Sequence, residues 1–206
     1  MLFDVGNVIV RATHAITWAI LEDYGIPPDV AVQFFRNEDY ADFARGKLTG
    51  TEFANRLGSR HLKNSWLGYI ELRAAHDAHI YIVDDVVVNL LDGLKMVKVP
   101  LAFVTTTNKW QTMREMQLIE LEKRFGQVVR SHDIGKTKTD EGAWPVILKA
   151  LHWQDKDPSA ILLVDDALAN CEAARRAGLQ THQYDPTPVV GVQKLRAALR
   201  EHGLFK

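Results

Sequence analysis

A single cysteine, Cys171, stands among 206 residues. That excludes an intramolecular disulfide and any site built from several thiolates, and makes a reducing compartment the default expectation. An excess of either charge is missing too: 25 Lys and Arg face 26 Asp and Glu, a formal net charge of -1, with a pI near 6.7. Nothing in that balance draws the chain to nucleic acid or to an anionic membrane. No apolar run approaches the ~20 residues of a membrane span. Asp4 and Asn7 interrupt the opening MLFDVGNVIV and no basic segment precedes it, so no secretory leader is expected. What is present is a chain 47% hydrophobic and 25% charged, enough for one sizeable core with a small inserted unit. The expectation is a cytoplasmic protein, monomer or homodimer.

The opening stretch reads as a buried strand that ends at Asp4 and turns at Gly6 and Asn7. A carboxylate there is either placed for chemistry, since ligands bind outside the carboxyl ends of α/β sheets, or part of a surface turn. From Thr13 to about Leu94 the period is helical. A first helix follows Thr13, and Pro27 and Pro28 suit the start of a second. EDYADFARGKL reads as a third, and Thr49 with Glu52 has capping-box spacing for a fourth. Residues 62 to 82 are ambiguous, with Trp66, Tyr69, Ile70 and Leu72 suggesting helix. Asp84 or Asp85 can open VVVNLLDGLK. Trp18, Tyr40 and Phe43 are expected inside this helical unit, and Arg45 faces either a cleft or solvent.

After Gly93 the pattern changes. VKVPLAFVT reads as a strand reaching Thr105, residues 109 to 125 as one long helix, and strands recur at GQVVRS, AILLVDD and LQTHQY with helices between. That alternation predicts an α/β, doubly wound, mostly parallel sheet. Residues 1 to 10 supply one more strand, but some ninety residues of helix separate it from the next. A helical cap inserted at about residues 13–90 explains the gap, leaving 1–12 and 91–206 as the core.

Polar residues then collect at four chain positions: Asp4; Thr105 with Thr106, Thr107 and Asn108; Lys138 beyond Asp133; and Asp165 with Asp166. Converging at one sheet edge they would supply carboxylates, hydroxyls and a cation. That set suits phosphoryl transfer, in which a carboxylate attacks phosphorus and hard oxygen ligands hold Mg²⁺. Each alone is equally a turn residue or a helix cap.

FDVGNV, FVTTTN, DIGKTK and LLVDDALAN, in this order and spacing, resemble the four motifs of the haloacid dehalogenase-like hydrolase superfamily. The closer likeness is to its FDxGNV-type phosphatases with an inserted helical cap, among them sugar-phosphate phosphatases. The resemblance implies a Rossmann-like core, Mg²⁺ as cofactor and a small phosphorylated metabolite as substrate. It implies that Asp4 is the nucleophile, Thr105 and Thr106 hold phosphate, and Lys138 steadies both. Asp4, the Gly6 carbonyl and Asp166 match the metal ligands, with Asp165 orienting Asp166 or a bound water. Asn170 falls where many members carry another carboxylate. Arg11 is a candidate contact for a substrate anion or else a surface arginine.

One departure matters most. Gly6 stands where most phosphatases of the superfamily resemble one another in a second aspartate, the general acid and base, and glycine can be neither. The resemblance therefore implies either a phosphatase that protonates its leaving group in another way, or a weak or inactive member that binds a metabolite or a protein. His132, beside Asp133, is a poor substitute for the missing acid without supporting geometry.

Overall fold

The computed structural model describes residues 1–62, 66–201 and 203. The chain opens with β1 (Leu2–Phe3) and β2 (Val10–Ala12), then the helices α1 (His14–Asp23), α2 (Pro28–Ala31), α3 (Glu38–Ala44), α4 (Gly50–Arg56) and α5 (Tyr69–Ala78). Next come β3 (Ile80–Val83), α6 (Asp85–Met96), β4 (Ala102–Thr105), α7 (Lys109–Leu118) and α8 (Leu121–Phe125). The remainder is β5 (Val128–Arg130), α9 (Ser131–Ile134), α10 (Ala143–Ala150), β6 (Leu162–Asp165), α11 (Leu168–Arg176), β7 (Gln180–Gln183) and α12 (Val190–Glu201).

Five strands form one sheet in the order β5-β4-β1-β6-β7, and every neighbouring pair is parallel. The two-residue periodicity of a strand divides its side chains cleanly. Phe3, Phe103 and Val164 join Val87, Leu91 and Leu94 of α6 and Leu195 and Leu199 of α12 on one face. Leu2, Ala102, Val104 and Leu163 meet Trp144, Ile147 and Leu148 of α10 and Ala174 of α11 on the other. Both faces are therefore covered, which is why β1, β4 and β6 read as unbroken apolar runs.

The helices α1 to α5 have a core of their own, in which Leu21, Phe34, Phe43, Phe53, Leu57 and Leu72 are buried; Trp18 and Tyr40 pack against it half-buried. Trp110 of α7 enters the same cluster, meeting Phe43 and Phe53 edge-on. Connection to the sheet runs through an antiparallel ribbon of β2 and β3. Local signals explain the helix starts. Thr49 and Glu52 make the expected reciprocal capping box, and Asp84 accepts from the N–H groups of Val86 and Val87 to open α6.

Three expectations need correction. The ambiguous stretch holds a helix over Tyr69–Ala78 but then β3, which exists because it pairs with β2; residues 63–65 within it lie outside the described residues. The long helix over 109–125 is two, because Ile119 adopts an extended conformation and is buried with Leu121 and Phe125 against the sheet. The strand reaching Thr105 begins only at Ala102, since Lys98 has φ of 60° and Pro100 precedes the ladder. Among the described residues, no helix is long and apolar enough to cross a membrane.

Candidate active site

β1 lies between β4 and β6, so the carboxyl ends of the three strands share one edge. Asp4 follows β1, Thr105 ends β4 and Asp165 ends β6. Lys138 reaches the same place from the loop between α9 and α10. Its ammonium donates to Asp4 Oδ1 at 2.6 Å, Asp165 Oδ2 at 2.5 Å and the Val104 carbonyl at 3.3 Å. Lys138 is 2% exposed, Asp4 7% and Asp165 0%. Carboxylates so far from water persist as charges only when paired and hydrogen-bonded, and Lys138 provides that partner to both.

The three acidic groups differ in what they leave open. Asp165 accepts from Lys138, from the Ala167 N–H at 3.0 Å and from the Asn170 amide at 2.9 and 3.2 Å, so its oxygens are already occupied. Asn170 acts here as a donor to Asp165. Asp166 is half-buried. Ligand oxygens of Asp4, Asp165 and Asp166 all lie within 4.8 Å of one another. Burial raises the Asp166 carboxyl, as does Asp165, while Lys138 and the Asn7 side chain oppose the rise. Burial also pushes Asp4 up, with Asp165 and Asp166 adding to it and Lys138 opposing. For Lys138 burial disfavours the charge, but Asp4 and Asp165 outweigh it and hold the lysine above its ordinary value.

Three carboxylates against one ammonium leave a formal excess of two negative charges in a largely dry site. Hard oxygen donors and that excess fit a divalent cation such as Mg²⁺. Asp4 and Asp166 are the better placed of the three to hold one, because the hydrogen bonds to Asp165 claim both its oxygens.

The hydroxyl side of the site is formed by the loop after β4. Thr105 is buried and Thr106 exposed, the latter accepting from the Lys138 N–H at 3.4 Å. Thr107 donates its N–H to Ser131 Oγ at 2.9 Å, and Asn108 caps α7 by accepting from the Gln111 N–H at 3.0 Å. Gly6 makes a one-residue bridge to Val10. Asn7 takes a left-handed φ of 54°, tolerable for asparagine, and accepts from the Ala12 N–H at 3.0 Å. Arg11 is not brought to this cluster: its guanidinium bonds Asp84 and the Pro186 carbonyl. His132 is buried against Thr112, 2.9 Å away.

The sequence reading takes Asn7 only as a turn residue, leaves Arg45 between a cleft and solvent, and does not name Ser131 or Asp140. Each of the four holds a loop that carries a motif residue.

A model of the haloacid dehalogenase-like hydrolase family matches residues 2–183. No curated protein sequence matches the chain. Among solved structures, the HAD family enzyme bt-2542 of Bacteroides thetaiotaomicron, in complex with magnesium and inorganic phosphate, is similar with a TM-score of 0.78 at 16% identity, over 90% of this chain and 93% of that one. The HAD-hydrolase YfnB of Bacillus subtilis, bound to magnesium and showing interdomain movement, is similar with a TM-score of 0.68 at 20% identity, over 97% of both chains. At these identities the likeness establishes the fold, an α/β core with a helical cap. The family model spans all four strand-end motifs, and on that ground the chain belongs to the haloacid dehalogenase-like hydrolases.

Proposed function

We propose that this hydrolase is a Mg²⁺-dependent phosphatase acting on a small organic phosphomonoester. The observation that carries the reading is the convergence of Asp4, Asp165, Asp166 and Lys138 at one sheet edge. Similarity to bt-2542, a protein seen with magnesium and inorganic phosphate, supports it. Asp4 and Asp166, with the Gly6 carbonyl, would hold the ion, which when bound supplies charge neutralisation to the phosphate oxygens.

Asp4 attacks phosphorus through a carboxylate oxygen, the phosphorus–oxygen bond to the leaving group breaks, and an aspartyl-phosphate forms. Lys138 opposes the burial that favours protonated Asp4, so its ammonium promotes the charged form that attacks, and it offsets charge on the transferred group. Thr105 and Thr106 orient the phosphate from the β4 loop. Water then attacks phosphorus and releases inorganic phosphate, restoring Asp4. With glycine at position 6 the departing oxygen takes its proton from solvent, which favours leaving groups that need little protonation, such as acyl or anomeric oxygens.

The cap reading places residues 13–90 over this edge. The packing of α6 supports moving its second boundary back to Asp84, since Val87, Val88, Leu90, Leu91 and Leu94 all belong to the sheet's own cluster. A movement between the two units, as in YfnB, would admit substrate. Arg11 serves the ribbon rather than the substrate in this reading, through its pair with Asp84.

Gly6 favours one second reading, a silent member that binds a metabolite without turning it over. Incubation with Mg²⁺ and a panel of sugar phosphates, acyl phosphates and nucleotides separates the two. Phosphate release lost in Asp4→Asn, together with beryllium fluoride binding seen by fluorine NMR in the wild type alone, is the expected result. No release from the panel and no fluoride binding would end the phosphatase reading.

A further inference from the structure

The last turn of α3 reaches across to two loops of the core at once. Ser131 Oγ accepts the Thr107 N–H at 2.9 Å, and its single proton is shared between the Ala44 carbonyl at 2.7 Å and the Thr107 carbonyl at 2.9 Å. One residue on, Arg45 grips Asp140 with two hydrogen bonds, Nε to Oδ2 at 2.9 Å and Nη2 to Oδ1 at 2.6 Å. Gly46 follows with φ of +72°, so close to the core that a Cβ there would lie 2.1 Å from the His132 carbonyl oxygen.

Asp140 is a link to the chemistry rather than a surface partner. Its Oδ2 also accepts the Thr137 N–H at 2.7 Å, and its own N–H donates to the Thr137 carbonyl at 3.2 Å. Lys138 is the next residue after Thr137, with its N–H on Thr106 and its ammonium between Asp4 and Asp165. A two-pronged arginine–carboxylate pair fixes orientation as well as distance. The pair is about three-quarters buried, at 26% and 22% side-chain exposure, which spares it much of the screening that weakens surface ion pairs. The Arg45 hydrogen bonds are the main influence holding the Asp140 carboxyl below its ordinary range.

We propose that Arg45 is a positioning residue: through Asp140 it couples the seating of the helical cap to the placement of Lys138 between Asp4 and Asp165. When α3 lifts away, the 137–140 turn loses the partner of its central carboxylate and Lys138 loses its fixed reach. The site is then fully assembled only with the cap in place. The proposal rests on the phosphatase reading for the role of Lys138, but not for the mechanical link.

Full-length wild type, Arg45→Ala, Arg45→Lys, Asp140→Ala and the Arg45→Ala/Asp140→Ala double variant provide the test. With Mg²⁺ and p-nitrophenyl phosphate, kcat in Arg45→Ala is expected to fall about 10- to 100-fold, the scale of a misplaced catalytic group, with KM changed less than about threefold. Arg45→Lys should recover part of the loss, and the double variant should be no worse than either single one. Hydrogen exchange gives the second readout: the Thr137 and Lys138 amides should exchange faster in Arg45→Ala and Asp140→Ala while the β4 amides do not. A rise in KM alone would make Arg45 a substrate contact and overturn the proposal. Unchanged exchange at Thr137 and Lys138 would overturn it as well. Should the wild type release no phosphate, the phosphatase reading falls, and the exchange data still decide the link.

Discussion

At Gly6 a Cβ would meet nothing outside its neighbours except Asp4 Oδ2, at 3.9 Å. An aspartate there has room, and a fourth carboxylate beside Asp4, Asp165 and Asp166 would have its pKa pushed up by like charge, as suits a general acid. Gly6→Asp is expected to raise kcat toward alkyl phosphates by about 10²-fold, within the range of acid–base catalysis, and toward aryl phosphates much less. A kcat series against leaving-group acidity measures this; a drop from an active wild type would mean that protons already move by a route the new carboxylate disturbs. Asp166 gives a second residue-level expectation. Mg²⁺ at about 100-fold above its dissociation constant should stabilise the fold by about 2.7 kcal/mol, and Asp166→Asn should lose most of that increment in thermal melts with and without EDTA. The placing of Asp4, Thr105, Asp165 and Asp166 at or just after strand ends, and of Lys138 in the loop beyond Asp133, could be read from the sequence because strand and helix alternate there. The contacts made by Arg45 and Ser131 could not. Their partners Asp140 and Ala44 lie 95 and 87 residues away, and no local spacing encodes such a pair.

Among the elements, α3 bears most directly on the site, and Gly46 is what lets its end approach α9. Alanine there carries two penalties, a left-handed φ and a Cβ 2.1 Å from a backbone oxygen that has no flexible end to yield. Gly46→Ala is expected to lower stability by roughly 1–3 kcal/mol and to reproduce the kinetic signature of Arg45→Ala; a Gly46→Ala protein with wild-type urea midpoint and kcat would show that the close approach is dispensable. The α3 helix itself is read from the stretch EDYADFARGKL, and the structure adds its cap, Asn37, which accepts from the Tyr40 N–H at 2.7 Å. So were the central strands, whose faces are both covered. β3 was not, because four residues with two exposed members form a strand only by virtue of β2 nearly seventy residues earlier. The break at Ile119 escaped for a related reason: a helical period continues through it, and only burial against the sheet turns the chain.

For the molecule as a whole, the junction of cap and core is where acid should act. His76 is fully buried there, 3.3 Å from the Asn108 amide and edge-on to Trp110. His79 is 2% exposed and bonds the His76 carbonyl through Nδ1. Burial lowers both histidines, His79 to about 3 from its ordinary 6.5, with the neighbouring ring of His76 adding to the effect. Between those values the unfolded chain binds a proton at position 79 that the folded protein does not. Stability therefore falls as pH drops below about 6.5, by at most about 1.4 kcal/mol per pH unit for each such histidine. Glu115 works in the opposite sense. Burial raises its carboxyl to about 7, so the folded protein binds the extra proton and gains stability as pH falls toward the ordinary carboxylate range. The wild-type curve mixes these slopes, and a difference is needed to isolate one. His79→Gln retains a donor for the His76 carbonyl but cannot ionise. Urea unfolding at pH 7, 6, 5 and 4 should show the wild type losing stability relative to His79→Gln by about 1.4 kcal/mol for each unit below 6.5. Parallel curves across that range would mean that His79 takes up its proton as readily in the folded protein as in the unfolded chain, and that the junction is not where acid loosens the cap.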